Sequence, residues 1–126
     1  MKEIIITTPI DEAVDKAIYF IHQKGFKIFA DINQQKEAEN VGLTIPKTRL
    51  LIFGNPKVGT LLMQENDWIT FELPSKVLFI QDKDQTKMIY RDPKNFIGCD
   101  QLSSKGKEIL EKMHEMYLEM HQAIKT

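Results

Sequence analysis

Lys76-Val77-Leu78-Phe79-Ile80, the polar stretch Gln81-Asp82-Lys83-Asp84-Gln85-Thr86, and then Lys87-Met88-Ile89-Tyr90 form the segment that decides the fold. Two apolar runs rich in β-branched and aromatic residues, joined by a short polar connection, predict an antiparallel hairpin. The connection has no glycine, so its turn type stays open. Asp92-Pro93 ends the hairpin.

Upstream lies Leu50-Leu51-Ile52-Phe53, a continuous apolar run that suits a central strand covered on both faces. Gly54-Asn55-Pro56 turns it into a helix through Leu61, Leu62 and Met63, with proline suited to the first helical position. Earlier still, Phe26, Ile28, Ala30 and Ile32 alternate with Lys27, Phe29, Asp31 and Asn33, the pattern of a strand with one buried face. Residues 34–41 read as a short helix with Asn33 as cap and Gly42 as stop. Ile10, Ala13, Val14, Ala17, Ile18 and Ile21 define one face of a helix that Gly25 ends. Thr8 is placed to cap that helix, Pro9 to open it, and Asp11 and Glu12 favour its positive end. Ile4-Ile5-Ile6 supplies a first strand.

Downstream of the hairpin, a helix starts near Ser103 or Ser104 and runs to about residue 124. Ile109, Met113, Met116, Met120 and Ile124 form its apolar stripe. The order is therefore β-α-β-α-β-α-β-β-α over residues 1–126, read as one domain. Its class is α+β, with a largely antiparallel sheet of about five strands and helices packed on one face.

The 126 residues carry 17 Lys+Arg against 18 Asp+Glu, a net charge of −1, and 42% are hydrophobic. That balance excludes an electrostatic nucleic-acid binder, which needs a basic face. The single cysteine, Cys99, excludes a disulfide framework and a multi-cysteine zinc site. The N-terminal Met1 to Thr8 lacks the apolar stretch of a signal peptide, and no run is long enough to span a membrane. A cytoplasmic protein with a reduced thiol is expected.

The stretch Gly54-Asn55-Pro56-Lys57-Val58-Gly59-Thr60 places two glycines at P-loop spacing, but Thr60 sits where that loop needs lysine, so a nucleotide triphosphatase is excluded. What survives is a helix N-terminus beside Lys57, a setting that suits a carboxylate or phosphate. The competing account is a turn capped by Asn55, with Lys57 in solvent. His114 and His121 are too far apart on one helix to chelate one ion, about 10 Å by helical rise, and the interleaved methionines fit the apolar stripe. Asp100 beside Cys99 works against a reactive thiolate. Asp31, Glu72 and Asp92 fall at strand ends or turns, where capping is the usual role. Lys76, Tyr90 and Asp92 converge if the hairpin register brings them to one rim. Trp68 and Phe71 read either as a pocket wall or as cover for the core.

Gly42-Leu43 with Pro46, the run Leu50 to Thr60 with Met63, Leu73-Pro74 with Lys76-Val77-Leu78, and Tyr90 with Asp92-Pro93 together resemble the domain of unknown function 302 family. The resemblance covers residues 5 to 98 approximately, and Gly54-Asn55-Pro56-Lys57 is its most specific part. It implies a small α+β domain and a homodimer, but no reaction. Many relatives show Asp-His after the second strand, where this chain has Asn33-Gln34. A histidine often found after the Asp-Pro pair is likewise absent near residues 96–100.

These readings lead to a non-enzymatic homodimer that needs no cofactor or metal. It would bind a small anionic or amphipathic ligand through Asn55, Lys57, Gly59 and Thr60, with Lys76, Tyr90 and Asp92 as further contacts and Trp68 and Phe71 as apolar wall. Two alternatives stand beside it. One is an enzyme using Asp92, Tyr90 and Lys76 as acid–base groups. The other is an assembly domain using the methionine stripe of the last helix.

Overall fold

The computed structural model describes residues 1–125. Its elements are β1 (Lys2–Ile6), α1 (Ile10–Gln23), β2 (Lys27–Asn33), α2 (Gln34–Asn40), β3 (Thr48–Gly54), α3 (Pro56–Glu65), β4 (Ser75–Asp82), β5 (Gln85–Tyr90) and α4 (Ser104–Lys125). Short 3-10 segments at Asp67–Glu72, Pro93–Asn95 and Cys99–Gln101 carry the connections. One five-stranded sheet results, in the order β1-β5-β4-β3-β2, and every pairing is antiparallel. The α+β class and the element order read from the sequence are those of the structure.

The β4–β5 hairpin is tighter than the polar stretch 81–86 suggests. Asp82 pairs with Gln85, so only Lys83 and Asp84 turn the chain. Lys83 takes φ +60, a left-handed conformation usually left to glycine. The Gln81 side-chain amide donates to the Lys83 carbonyl at 2.9 Å, which holds the turn.

Side chains alternate across the sheet, and the register puts Phe53, Val77, Phe79, Met88 and Tyr90 on one face. The apolar stripes of α1 and α4 cover that face. Ala13, Val14, Ala17 and Ile21 from α1 meet Met116, Tyr117, Met120 and Ile124 from α4 over these strands. Each large aliphatic side chain removed from water here contributes about 1.5–3 kcal/mol. A second, smaller core gathers Leu62, Ile69, Phe96, Leu102 and Leu110 beneath α3 and the first half of α4.

Three local readings are corrected. Thr8 does not cap α1. Its hydroxyl donates to the Ile124 carbonyl at 3.4 Å and its carbonyl accepts from the Thr86 hydroxyl at 2.7 Å, tying the helix start to α4 and β5. The simple alternation of β2 is broken by a bulge between Ile28 and Ala30. Phe26 and Ile28 therefore pack on the main core, while Ala30 pairs with Ile52 on the other face. The methionine stripe of α4 is not an exposed surface: Met116, Met120 and Ile124 are buried in the main core, and Ile109 and Met113 pack against the second.

Candidate functional site

At the end of β3 the chain turns through Asn55 and Pro56 into α3. Asn55 has extended backbone, and its side-chain oxygen accepts from the Lys57 N–H at 3.0 Å and the Val58 N–H at 3.4 Å. Gly59 N–H donates to the Asn55 carbonyl at 2.9 Å, and Pro56 has no N–H. The Thr60 hydroxyl donates to the Pro56 carbonyl at 2.6 Å. Every donor of the first helical turn is thus already engaged, and Lys57 projects into solvent. An anion has no free backbone N–H to use here.

The same turn instead borders a cavity of about 480 Å³. Phe26, Phe29 and Phe53 form one wall, while Met63 and Leu73 form another. Ile109, Met113 and Met116 of α4 close the third side, and Gly54 and Gly59 keep the rim low. The cavity lies on the seam between the two cores, since Phe53 and Met116 belong to the main one and Leu73, Ile109 and Met113 pack against the second. Asn55 and Thr60 contribute polar edges. Lys112 is the one charged side chain lining it, and it forms no ion pair among the described residues. Trp68 and Phe71 are elsewhere: they are 66% and 83% exposed and belong to neither the cavity wall nor a core.

The hairpin does not bring Lys76, Tyr90 and Asp92 to one rim. Phe79 pairs with Met88, so Tyr90 shares their face, while Lys76 shares the opposite face with Leu78. Tyr90 is buried, its hydroxyl 3.2 Å from His114 Nε2, and its ring stacks on Tyr117 with centroids 4.2 Å apart. Burial and the nearby Asp92 charge raise its pKa. Asp92 caps the following segment by accepting from the Lys94 N–H at 3.0 Å. Lys76 is exposed, and its ammonium reaches only the Pro74 carbonyl at 3.3 Å. The Tyr117 hydroxyl donates to the Lys76 carbonyl at 2.8 Å and is held far above its ordinary pKa by burial. This cluster is a buried joint between α4 and the sheet. The other candidate carboxylates are spoken for as well: Asp31 takes both arms of Arg49, and Glu72 pairs with Arg91 while accepting from the Ile97 N–H. The Cys99 thiol is held above its ordinary pKa by burial and by Asp100.

Residues 3–120 match the family described as "Domain of unknown function DUF302". The chain belongs to the DUF302 family. A solved relative is the uncharacterized conserved DUF302 protein from Bacillus stearothermophilus, with a TM-score of 0.83 and 18% identity. That similarity covers 98% of this chain and 96% of the other, and at such identity it establishes the shared fold. The fluoride-specific ion channel FluC 1 of Brucella suis biovar 1 is 33% identical over 73 residues, 58% of this chain and 29% of that protein. FluC 1 of Brucella abortus biovar 1 is also 33% identical over 73 residues, 58% of this chain and 27% of that one. The chain therefore spans less than a third of the length of either. Among the described residues, no helix is long and apolar enough to cross a membrane.

Of the ligand-binding residues read from the sequence, Asn55, Gly59 and Thr60 line the cavity, whereas Lys57, Lys76, Tyr90 and Asp92 do not. The sequence reading missed Phe26, Phe29, Lys112, Met113 and Met116. The two methionines carried a signal in the α4 stripe, and Phe29 becomes available only because the bulge turns it. Lys112 had no signal at all: it is one lysine on a helix rich in them.

Proposed function

We propose that this DUF302 chain is a ligand-binding module, working as a homodimer, whose cavity takes an amphipathic molecule with an anionic head. The observation that carries the reading is a walled apolar space of about 480 Å³ with one cation at its edge, Lys112, which forms no ion pair among the described residues. Small-molecule sites are typically about 300–1,000 Å³, mostly apolar, with a few placed polar groups. The apolar walls favour the amphipathic half of the original expectation, and the engaged helix N-terminus moves the charge partner from Lys57 to Lys112.

Titration calorimetry with dodecanoate and with the uncharged dodecanol tests it. Dodecanoate is expected to bind, Lys112→Ala to weaken it about fivefold to tenfold, and dodecanol to be insensitive to that substitution. A dodecanoate Kd weaker than about 1 mM would refute the assignment. Equal binding of dodecanoate by the wild type and Lys112→Ala would remove the anionic head from it.

A further inference from the structure

The continuous run Leu50 to Phe53 calls for cover on both faces of the sheet, and α1 and α4 cover only one. On the other face the register aligns Ile89, Leu78, Leu50 and Ile32 in a row across four neighbouring strands, with Ile80 and Ile52 on either side. These six aliphatics belong to neither core and are partly exposed. At the edge strand, Ile5 is 48% exposed. A half-solvated antiparallel sheet ordinarily turns mostly polar residues to water, and here the outward face carries this row of aliphatics, with Glu3, Lys76, Asp82 and Lys87 around them.

The charges on this face are arranged for self-pairing. Along β4 the outward positions are Lys76, Leu78, Ile80 and Asp82, a cation and an anion at opposite ends with aliphatics between. Neither forms an ion pair among the described residues: Lys76 reaches only the Pro74 carbonyl at 3.3 Å, and the Asp82 carboxylate has no hydrogen-bond partner. We propose that this face is the homodimer interface, formed with a second copy about a two-fold axis that lies between the two sheets, perpendicular to β4 at the level of Phe79. That axis sets Lys76 against Asp82 of the partner subunit twice over, with Leu78 and Ile80 packed between. A two-fold interface pairs position i with j and j with i, as this pattern requires. It also keeps the two β4 strands antiparallel, within the aligned geometry of stacked sheets about 10 Å apart.

The size fits. Five strands about 4.8 Å apart, each about 20 Å long, give a face of roughly 400 Å² in plan. That is about half of the roughly 800 Å² a standard interface takes from each partner. The Lys87–Glu3 pair, 3.8 Å apart, lies on the same face, with Lys87 between Ile80 and Ile5 and Glu3 beside Ile89.

The inference rests on the homodimer part of the proposed function and is independent of the cavity. Sedimentation equilibrium tests it on the full chain. The wild type is expected to be a dimer and Leu78→Lys a monomer with an unchanged far-ultraviolet spectrum. Lys76→Asp and Asp82→Lys are each expected to raise the dimer Kd about tenfold or more, and the Lys76→Asp/Asp82→Lys swap to restore it. If Leu78→Lys does not fold, the charge swap decides, because both residues lie at the rim. A wild-type monomer at about 100 μM overturns the interface and the homodimer together. A Leu78→Lys dimer, or a swap no tighter than the single variants, overturns the interface alone. Dodecanoate uptake by the same samples reads the cavity separately.

Discussion

Gly59 looks into the cavity from α3, and replacing it separates folding from binding. A Cβ built there meets Leu73 Cδ1 at 3.9 Å and Met63 Cε at 4.0 Å, both ordinary contacts. The residue is helical, and its N–H donates to the Asn55 carbonyl at 2.9 Å. Glycine in a helix costs about 0.5–1 kcal/mol relative to alanine, so Gly59→Ala should stabilise the chain by that amount. With about 2.1 cal/mol/K of unfolding entropy per residue, the 126 residues give about 0.26 kcal/mol/K, and Tm should rise by about 2–4 °C. Gly59→Phe sends a ring the same way. A cavity of about 150 Å³ holds benzene, so the ring takes about a third of the available 480 Å³. Dodecanoate should then bind at least about tenfold more weakly, a loss of about 1.4 kcal/mol, while circular dichroism still shows a cooperative melt. A Gly59→Ala chain that melts lower than the wild type would refute the helical argument. A folded Gly59→Phe chain that takes dodecanoate as the wild type does would refute the assignment of the cavity.

Tyr117→Phe leaves the Lys76 carbonyl without its 2.8 Å donor and should cost about 1–2 kcal/mol in urea denaturation. Tyr117 and Tyr90 both have folded pKa values raised above 10.0. The stability this carries is complete below the unfolded pKa and is lost as pH rises through the folded values, so unfolding free energy should fall above about pH 10. Tyr117→Phe should flatten that decline. Asn55→Ala removes the acceptor of two α3 donors and should cost about 1 kcal/mol, whereas Lys57→Ala should move Tm by less than about 2 °C. Gly98 has φ +84, and a Cβ there would lie 2.6 Å from Asn66 Oδ1 and 3.2 Å from Trp68 Cβ. Gly98→Ala should therefore destabilise by about 1–3 kcal/mol by thermal melting.

What the sequence disclosed follows from how local each signal is. The α1 stripe, the Asn33 and Asn55 caps and the β4–β5 hairpin depend on residues within a few positions of one another, and each is present. The β2 bulge is a mismatch between two strands separated in sequence, so alternation within β2 alone placed Ala30 and Ile32 on the wrong face. Lys76 and Tyr90 looked like neighbours because the hairpin pairs their strands; the register fixes them on opposite faces. His114, the actual neighbour of the Tyr90 hydroxyl, comes from a helix whose docking angle no spacing rule supplies. The cavity was the least legible feature. Its walls come from β2, β3, α3, the β4 entry and α4, and the Gly54 to Thr60 turn is only its rim.

The division into two cores explains why a space persists at that rim. The last helix serves both: Leu110 packs in the smaller core, while Met116, Met120 and Ile124 pack against the sheet. A straight helix fixes the distance between the two regions by its rise of about 1.5 Å per residue, so neither core can close over the residues between them without bending it. Met113 beside the smaller core and Met116 in the main one both line the gap, and methionine is the side chain best able to change shape without leaving the wall. On the opposite side Gly54 and Gly59 offer no side chain, and Pro56 and Pro74 hold the backbone stiff. An empty apolar space between well-packed regions costs dispersion energy on all its walls. An apolar occupant would restore it, so the packing that leaves the seam open favours the proposed ligand.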